Sequence, residues 1–186
     1  MRQRSEKKIS PLHTRGVNLM KQKFLYKFLT VCLAMSLTSI TIHQAASATP
    51  MAQLNADKDV VTLEFEEGGH DIVRNFPLHE KGSIRYFSAG VGKLERKTAY
   101  PAFPLKLVFA YDSGAFLAHI SVEIHNNDGS LAVKIPAKHV MGPWLFVDLD
   151  PGVYEIVATN QDGEKVAKRV PVKKNDPLSL PLYWHS

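Results

Sequence analysis

Six of the eight histidines in this 186-residue chain lie beyond residue 48, and imidazole is the side chain best suited to hold a metal or move a proton near neutral pH. His119, Glu123 and His125 share the polar side of one alternating segment. With a rise of about 3.3 Å per residue, His119 and His125 stand about 20 Å apart, too far to share an ion. Glu123 and His125 are about 7 Å apart and can supply two ligands if a neighbouring strand supplies a third. No His-Glu-x-x-His pattern or cysteine pair accompanies them. Nucleophilic chemistry has less to work with. There is no Gly-x-Ser-x-Gly, and Ser113-Gly114 has the spacing of a turn. Gly90-Val91-Gly92 lacks the Lys-Ser/Thr of a phosphate loop and reads as a plain turn.

Aromatic side chains are the better hint of binding. Phe116, Trp144, Tyr154, Tyr183 and Trp184 are candidates for a stacking platform facing a sugar or a partner peptide. Of these, Trp144, Tyr154 and Trp184 are the candidate ligand contacts. Trp144 and Tyr154 fall within strand patterns and are expected in the core. Trp184 sits in a proline-bounded tail, where it either docks back or awaits a partner. Among the acidic and cationic residues, no convergent acid, base, nucleophile or metal set assembles from the sequence, and no cofactor is expected.

The segments that must position these residues alternate with period two. In Leu105–Ile124 two strands are read, joined by a short polar turn at Tyr111–Gly114. Leu105, Leu107 and Phe109 share one side of the first, and Ile120, Val122 and Ile124 one side of the second. The turn Asn126-Asn127-Asp128-Gly129 leads to a third strand, Leu131–Ile135, with Leu131, Val133 and Ile135 on one face. A connection over 137–143 precedes the strand Trp144–Leu149. At the corner Asp150-Pro151-Gly152, proline presets φ and glycine accepts a positive one. Val153–Thr159 and Lys165–Lys173 follow as strands about the turn Gln161-Asp162-Gly163. Asp128, Gly129, Pro151 and Gly152 are thus the structural turn residues. Pro177 and Pro181 mark 175–186 as a non-regular tail.

Upstream the pattern thins. Thr49–Asp59 is polar and reads as frayed. Val60–Glu66 is a strand ended by Gly68-Gly69, and 70–83 reads as loop with at most a short strand near Ile72-Val73. Ile84–Ser88 is a strand, and Lys93–Tyr100 a short helix stopped by Pro101 and Pro104. Short strands with turn signals about every 8–12 residues predict an all-β sandwich with one short helix.

Residues 1–48 read as a secretory leader, with Met1 or Met20 as the start. Lys21, Lys23 and Lys27 precede an apolar run from Phe28 to Ile42, and Ala46-Ser47-Ala48 offers a cleavage site. The run falls short of the roughly 20 apolar residues of a membrane span. The leader carries eight bases and one acid; removing them from totals of 23 and 18 leaves 15 bases and 17 acids, a net charge of −2. The basic character therefore leaves with the leader, and neither nucleic-acid nor membrane-surface binding is expected. Cys32 leaves too, which excludes disulfides, and Val31 before it argues against lipid attachment. The remaining 138 residues suffice for one core.

Leu149-Asp150-Pro151-Gly152-Val153-Tyr154 reads as L-x-P-G-x-Y, with Asp128-Gly129 upstream and Gln161-Asp162-Gly163-Glu164 downstream. In this order the motifs resemble carboxypeptidase regulatory-like domains, a transthyretin-like branch of the β-sandwiches. Leu105–Ala110, Ser113–Ile120 and Gly142-Pro143-Trp144, with the turn at Ala89–Gly92, bring the resemblance closer to bacterial exported proteins carrying that domain. It covers about residues 84–173. Ala89 stands where those proteins have glycine, and Pro101 and Pro104 cut into their helix. The resemblance implies an immunoglobulin- or transthyretin-like antiparallel sandwich at 104–174, an extension at 49–103 and a periplasmic location. The terminal Tyr183-Trp184-His185-Ser186 copies the ends of the tetrapeptide that closes hydroxyisourate hydrolases but not its arginine.

The function expected is therefore a non-enzymatic interaction or accessory module for a protein or glycan, with no membrane insertion after the leader is removed. One alternative is a carbohydrate-binding module, which needs coplanar exposed aromatics. The other is a small periplasmic hydrolase or metal-binding protein, which needs His119 or His139 gathered with acids around one pocket.

Overall fold

The computed structural model describes residues 49–57 and 59–186, so the leader expected at 1–48 lies outside the described residues. Ser47–Ser186 is one compact unit. Its strands are β1 (Ala52–Leu54), β2 (Val60–Glu67), β3 (His70–Pro77), β4 (His79–Lys81), β5 (Ile84–Ala89), β6 (Leu105–Tyr111), β7 (Ser121–Asn126), β8 (Leu131–Ile135), β9 (Trp144–Asp148), β10 (Gly152–Thr159), β11 (Lys165–Val172) and β12 (Leu178–Trp184). The fold is all-β: a five-stranded sheet, β12-β6-β9-β5-β4, packs on a four-stranded one, β11-β10-β7-β8, and β1-β2-β3 forms a third.

Two cores result, because the five-stranded sheet is apolar on both faces. Leu145 and Val147 of β9 point inward with Leu105, Leu107 and Phe109, where they meet Val122, Ile124 and Ile156 of the facing sheet. Phe146 of β9 and Phe87 of β5 point the other way and are covered by Val61, Leu63 and Phe76 of the three-stranded sheet, together with Phe103. The rings of Phe87 and Phe146, cross-strand neighbours, stack at 4.6 Å. Sequence alternation in β7 suggests a sheet wet on one side. The central strands β5 and β9 instead follow the rule for strands buried on both faces, an almost continuous apolar run.

Several expectations change. The two strands of Leu105–Ile124 are not partners: β6 belongs to the five-stranded sheet and β7 to the four-stranded one. The turn at Tyr111 forms, with Gly114 N–H donating to Tyr111 O at 2.9 Å, but the chain then crosses between layers. A bulge between β7 and β8 pairs His125 with Leu131 and Ile124 with Val133, leaving Ala132 over. Leu131 is thereby turned out of the core, 53% exposed, while Val133 and Ile135 stay in it. Residues 70–83 are not loop but the long β3 and the short β4, and the segment read as frayed contains β1. The expected helix is one 3-10 turn, Glu95–Lys97. Of the extension at 49–103, β4 and β5 are strands of the five-stranded sheet.

The largest change is at the C-terminus. The segment 175–186 carries β12, parallel to β6 in a register that pairs Leu178 with Leu105 and Trp184 with Tyr111. Prolines disguise it. Pro181 is tolerated because β12 is an edge strand, where a missing N–H need not break a ladder. The corner at 150–152 differs in a smaller way. Gly152 is absent from the positive-φ residues; a Cβ there would stand 3.2 Å from the Tyr154 ring, so glycine serves close approach instead of turn conformation.

Candidate functional site

The aromatic candidates do not converge. Tyr154 is buried in the sandwich, its hydroxyl donating to Asp150 O at 3.0 Å, and burial raises its pKa, with Asp150 adding to the effect. Trp184 is buried in the same core, and its Nε1–H donates to Glu164 O at 3.1 Å. Trp144 is half-buried on the opposite face of the five-stranded sheet, with the Lys106 ammonium 3.2 Å from its ring centroid. Burial lowers the pKa of that lysine. A platform needs rings on one surface, and here two of three lie inside. Phe116 and Tyr183 are exposed, and Phe116 carries the Arg96 guanidinium at 5.0 Å from its ring.

The turn residues act locally. The Asp128 carboxylate accepts from the N–H and hydroxyl of Ser130 at 2.9 and 2.6 Å, which lowers its pKa, and Gly129 follows at φ 84°. Pro151 and Gly152 form the corner from which β10 starts.

The acidic and imidazole set of β7 is engaged structurally. His119 precedes the strand, at φ 57°, with its N–H bonded to Val140 O at 2.7 Å, so it does not share the face of Glu123 and His125. Glu123 pairs with Lys134 at 2.7 Å and stands 3.8 Å from His125, and the lysine bond is the main cause of its lowered pKa. Among the described residues, no three histidine, cysteine, aspartate or glutamate side chains are grouped to hold a metal ion.

A pair of histidines that sequence reasoning did not join is the notable feature. His79 of β4 and His139, at the end of the 3-10 turn Ala137–His139, stack face to face, with ring centroids 3.8 Å apart and planes 4° from parallel. Tyr86, the cross-strand partner of His79, places its hydroxyl 3.0 Å from His139 Nδ1. Burial chiefly lowers the pKa of His79, and His139 and Lys138 lower it further. His139 is lowered by burial and then by Lys138. Burial raises Tyr86. Stacked imidazoles keep their lone pairs in parallel planes, so the pair is better arranged to share desolvation than to chelate one ion.

The pair stands beside a cleft of about 300 Å³, lined by Phe76, Pro77, Ala89, Val91, Met141 and others. Its position follows from strand lengths. β4 covers only Ile84–Tyr86 of β5, so the end of β5 at Ser88 and Ala89 has no strand on that side. The segment 139–142 closes against it: Gly142 N–H donates to Ser88 Oγ at 2.9 Å, and a Cβ on Gly142 would lie 2.3 Å from Ala89 O. Val140 anchors the segment in the core. Glu95, also in the wall, is occupied by the N–H groups of Gly90 and Val91 at 2.9 and 3.0 Å. Val91 and Met141, 64% and 65% exposed, stand at the rim. His79 was missed because β4 is three residues long and shows no alternation of its own.

Comparison with family models, with curated proteins and with solved structures finds no match.

Proposed function

We propose that this chain is an exported, non-enzymatic interaction module that receives a partner protein at the cleft beside His79 and His139. The observation that carries the reading is the rim: two exposed apolar side chains, Val91 and Met141, flank a recess with an apolar floor. Single exposed apolar residues are ordinary, whereas several around one concavity suit recognition. The motifs that resemble carboxypeptidase regulatory-like domains and the leader-like sequence of residues 1–48 support the exported part of this reading. Ser88, the hydroxyl in the cleft wall, is engaged with Gly142 on both its donor and acceptor sides, which speaks against a nucleophile there.

The test uses residues 49–186, a compact unit with its own cores, as bait in an envelope extract beside a glycan array. A protein captured by the wild type and lost with Met141→Asp and Val91→Asp, each keeping the far-ultraviolet spectrum, is the expected result. Capture indifferent to both substitutions, or binding of glycans alone, would overturn the reading.

A further inference from the structure

The cleft also has an electrical asymmetry. His79, Lys138 and His139 line or border one side, and none of them belongs to an ion pair among the described residues. Each ion pair that does form lies elsewhere, as in Arg85 with Asp148 and Lys134 with Glu123. The remaining charged or titratable groups at the cleft are Tyr86, whose hydroxyl meets His139, and Glu95, whose Oε2 is held by two backbone N–H groups. Three protonatable nitrogenous side chains thus gather on one side of an apolar recess, and the acid that lines it, Glu95, is turned through Oε2 to two backbone N–H groups and forms no ion pair with those side chains. Protonating either histidine beside Lys138 is unfavourable unless an anion offsets the added charge.

We propose that the cleft takes the C-terminal carboxylate of a partner protein ending in an apolar residue, the carboxylate lying against His79, Lys138 and His139 and the apolar side chain against Phe76, Pro77, Val91 and Met141. This deepens the docking reading above and rests on it. The volume is at the small end for a ligand site and suits one apolar residue with its terminal carboxylate. Binding is linked to protons. The free histidines favour the neutral form, because burial and their neighbours disfavour charge. A bound carboxylate reverses that preference, so association takes up a proton. Between the free-state and bound-state pKa, affinity then falls by up to about tenfold per pH unit for each linked proton.

Two probes separate the sources of such a group: octanoate, and a short peptide ending in leucine with a free carboxylate. The same peptide as its C-terminal amide is the control. Histidine side-chain resonances of the 49–186 chain are followed at pH 6.0 and 7.5, with affinity measured by calorimetry. Expected are shifts of His79 and His139 with the free-acid peptide, none with the amide, and binding several-fold tighter at pH 6.0. Lys138→Gln, an exposed change that leaves the fold intact, should weaken binding several-fold. Octanoate binding where the free-acid peptide does not would identify a small hydrophobic acid in place of a chain terminus and would overturn the proposal. Absence of shifts with both acids, or equal binding of the amide, would overturn the proposal. If Met141→Asp still abolishes partner capture in that case, the docking reading survives and only the carboxylate is lost.

Discussion

Replacing Trp184 with alanine should cost the protein about 3–5 kcal/mol, the range for truncating a buried large aromatic. The indole is only 3% exposed and sits in the sandwich core within ring distance of Phe109. Its N–H also satisfies the carbonyl of Glu164, which alanine leaves without that donor. Trp184→Phe keeps most of the ring and loses the hydrogen bond and some volume, so about 1–2 kcal/mol is expected. Set against a total stability of about 5–15 kcal/mol, the alanine change is large enough to move a urea midpoint far outside error. Tyr183, the next residue outward, is 53% exposed, and Tyr183→Ala should cost within about 0.5 kcal/mol. The assay is equilibrium urea unfolding of the 49–186 chain, followed by far-ultraviolet circular dichroism. In a Trp144→Phe background the remaining indole should emit at short wavelength and resist iodide quenching. A cost for Trp184→Ala below about 1 kcal/mol, equal to that of Tyr183→Ala, would mean that β12 is not seated against β6 and would refute the reasoning.

Three further outcomes are expected. His79 and His139 have folded pKa values below the unfolded 6.5, so the unfolded chain binds more protons in that window. Their contribution to stability should be complete above pH 6.5 and should diminish as pH falls from there toward the folded values; urea midpoints from pH 5 to 8 should show this, and His79→Gln with His139→Gln should flatten it. Gly142→Ala forces a Cβ against Ala89 O and should cost about 2–3 kcal/mol or more, read as a drop in thermal midpoint; an unchanged midpoint would show that the 139–142 segment is not closed on β5. Tyr154→Phe removes the bond to Asp150 O and should cost about 1 kcal/mol in the same urea assay, with no loss in Tyr154→Phe indicating that the corner at 150–152 holds without it.

Legibility along this chain tracked how local the cause was. β10 and β11 were readable because their alternation and flanking glycines sit within a few residues of each other. β3 was unreadable because six of its eight side chains are exposed, so no apolar period marks it. β12 hid behind prolines that an edge position tolerates. One signal was present and underused. Trp144–Val147 and Tyr86–Phe87 are apolar in consecutive residues, which is how a strand covered on both faces reads, and it announced the third sheet. The bulge that expels Leu131 could not be foreseen, since one extra residue changes register without changing composition.

The amino-acid order by itself determined the all-β class, most strand positions of the second half and the turns between them, because period two and turn chemistry are set by neighbouring residues. Tertiary structure alone decided that β6 and β7 lie in different sheets, that β12 pairs in parallel with β6, and that Trp184 faces inward. It alone brought His79 to His139, 60 positions apart, by laying a three-residue edge strand beside a 3-10 turn. Pairing and packing between distant segments depend on which apolar faces meet, and no local pattern in a chain records that choice.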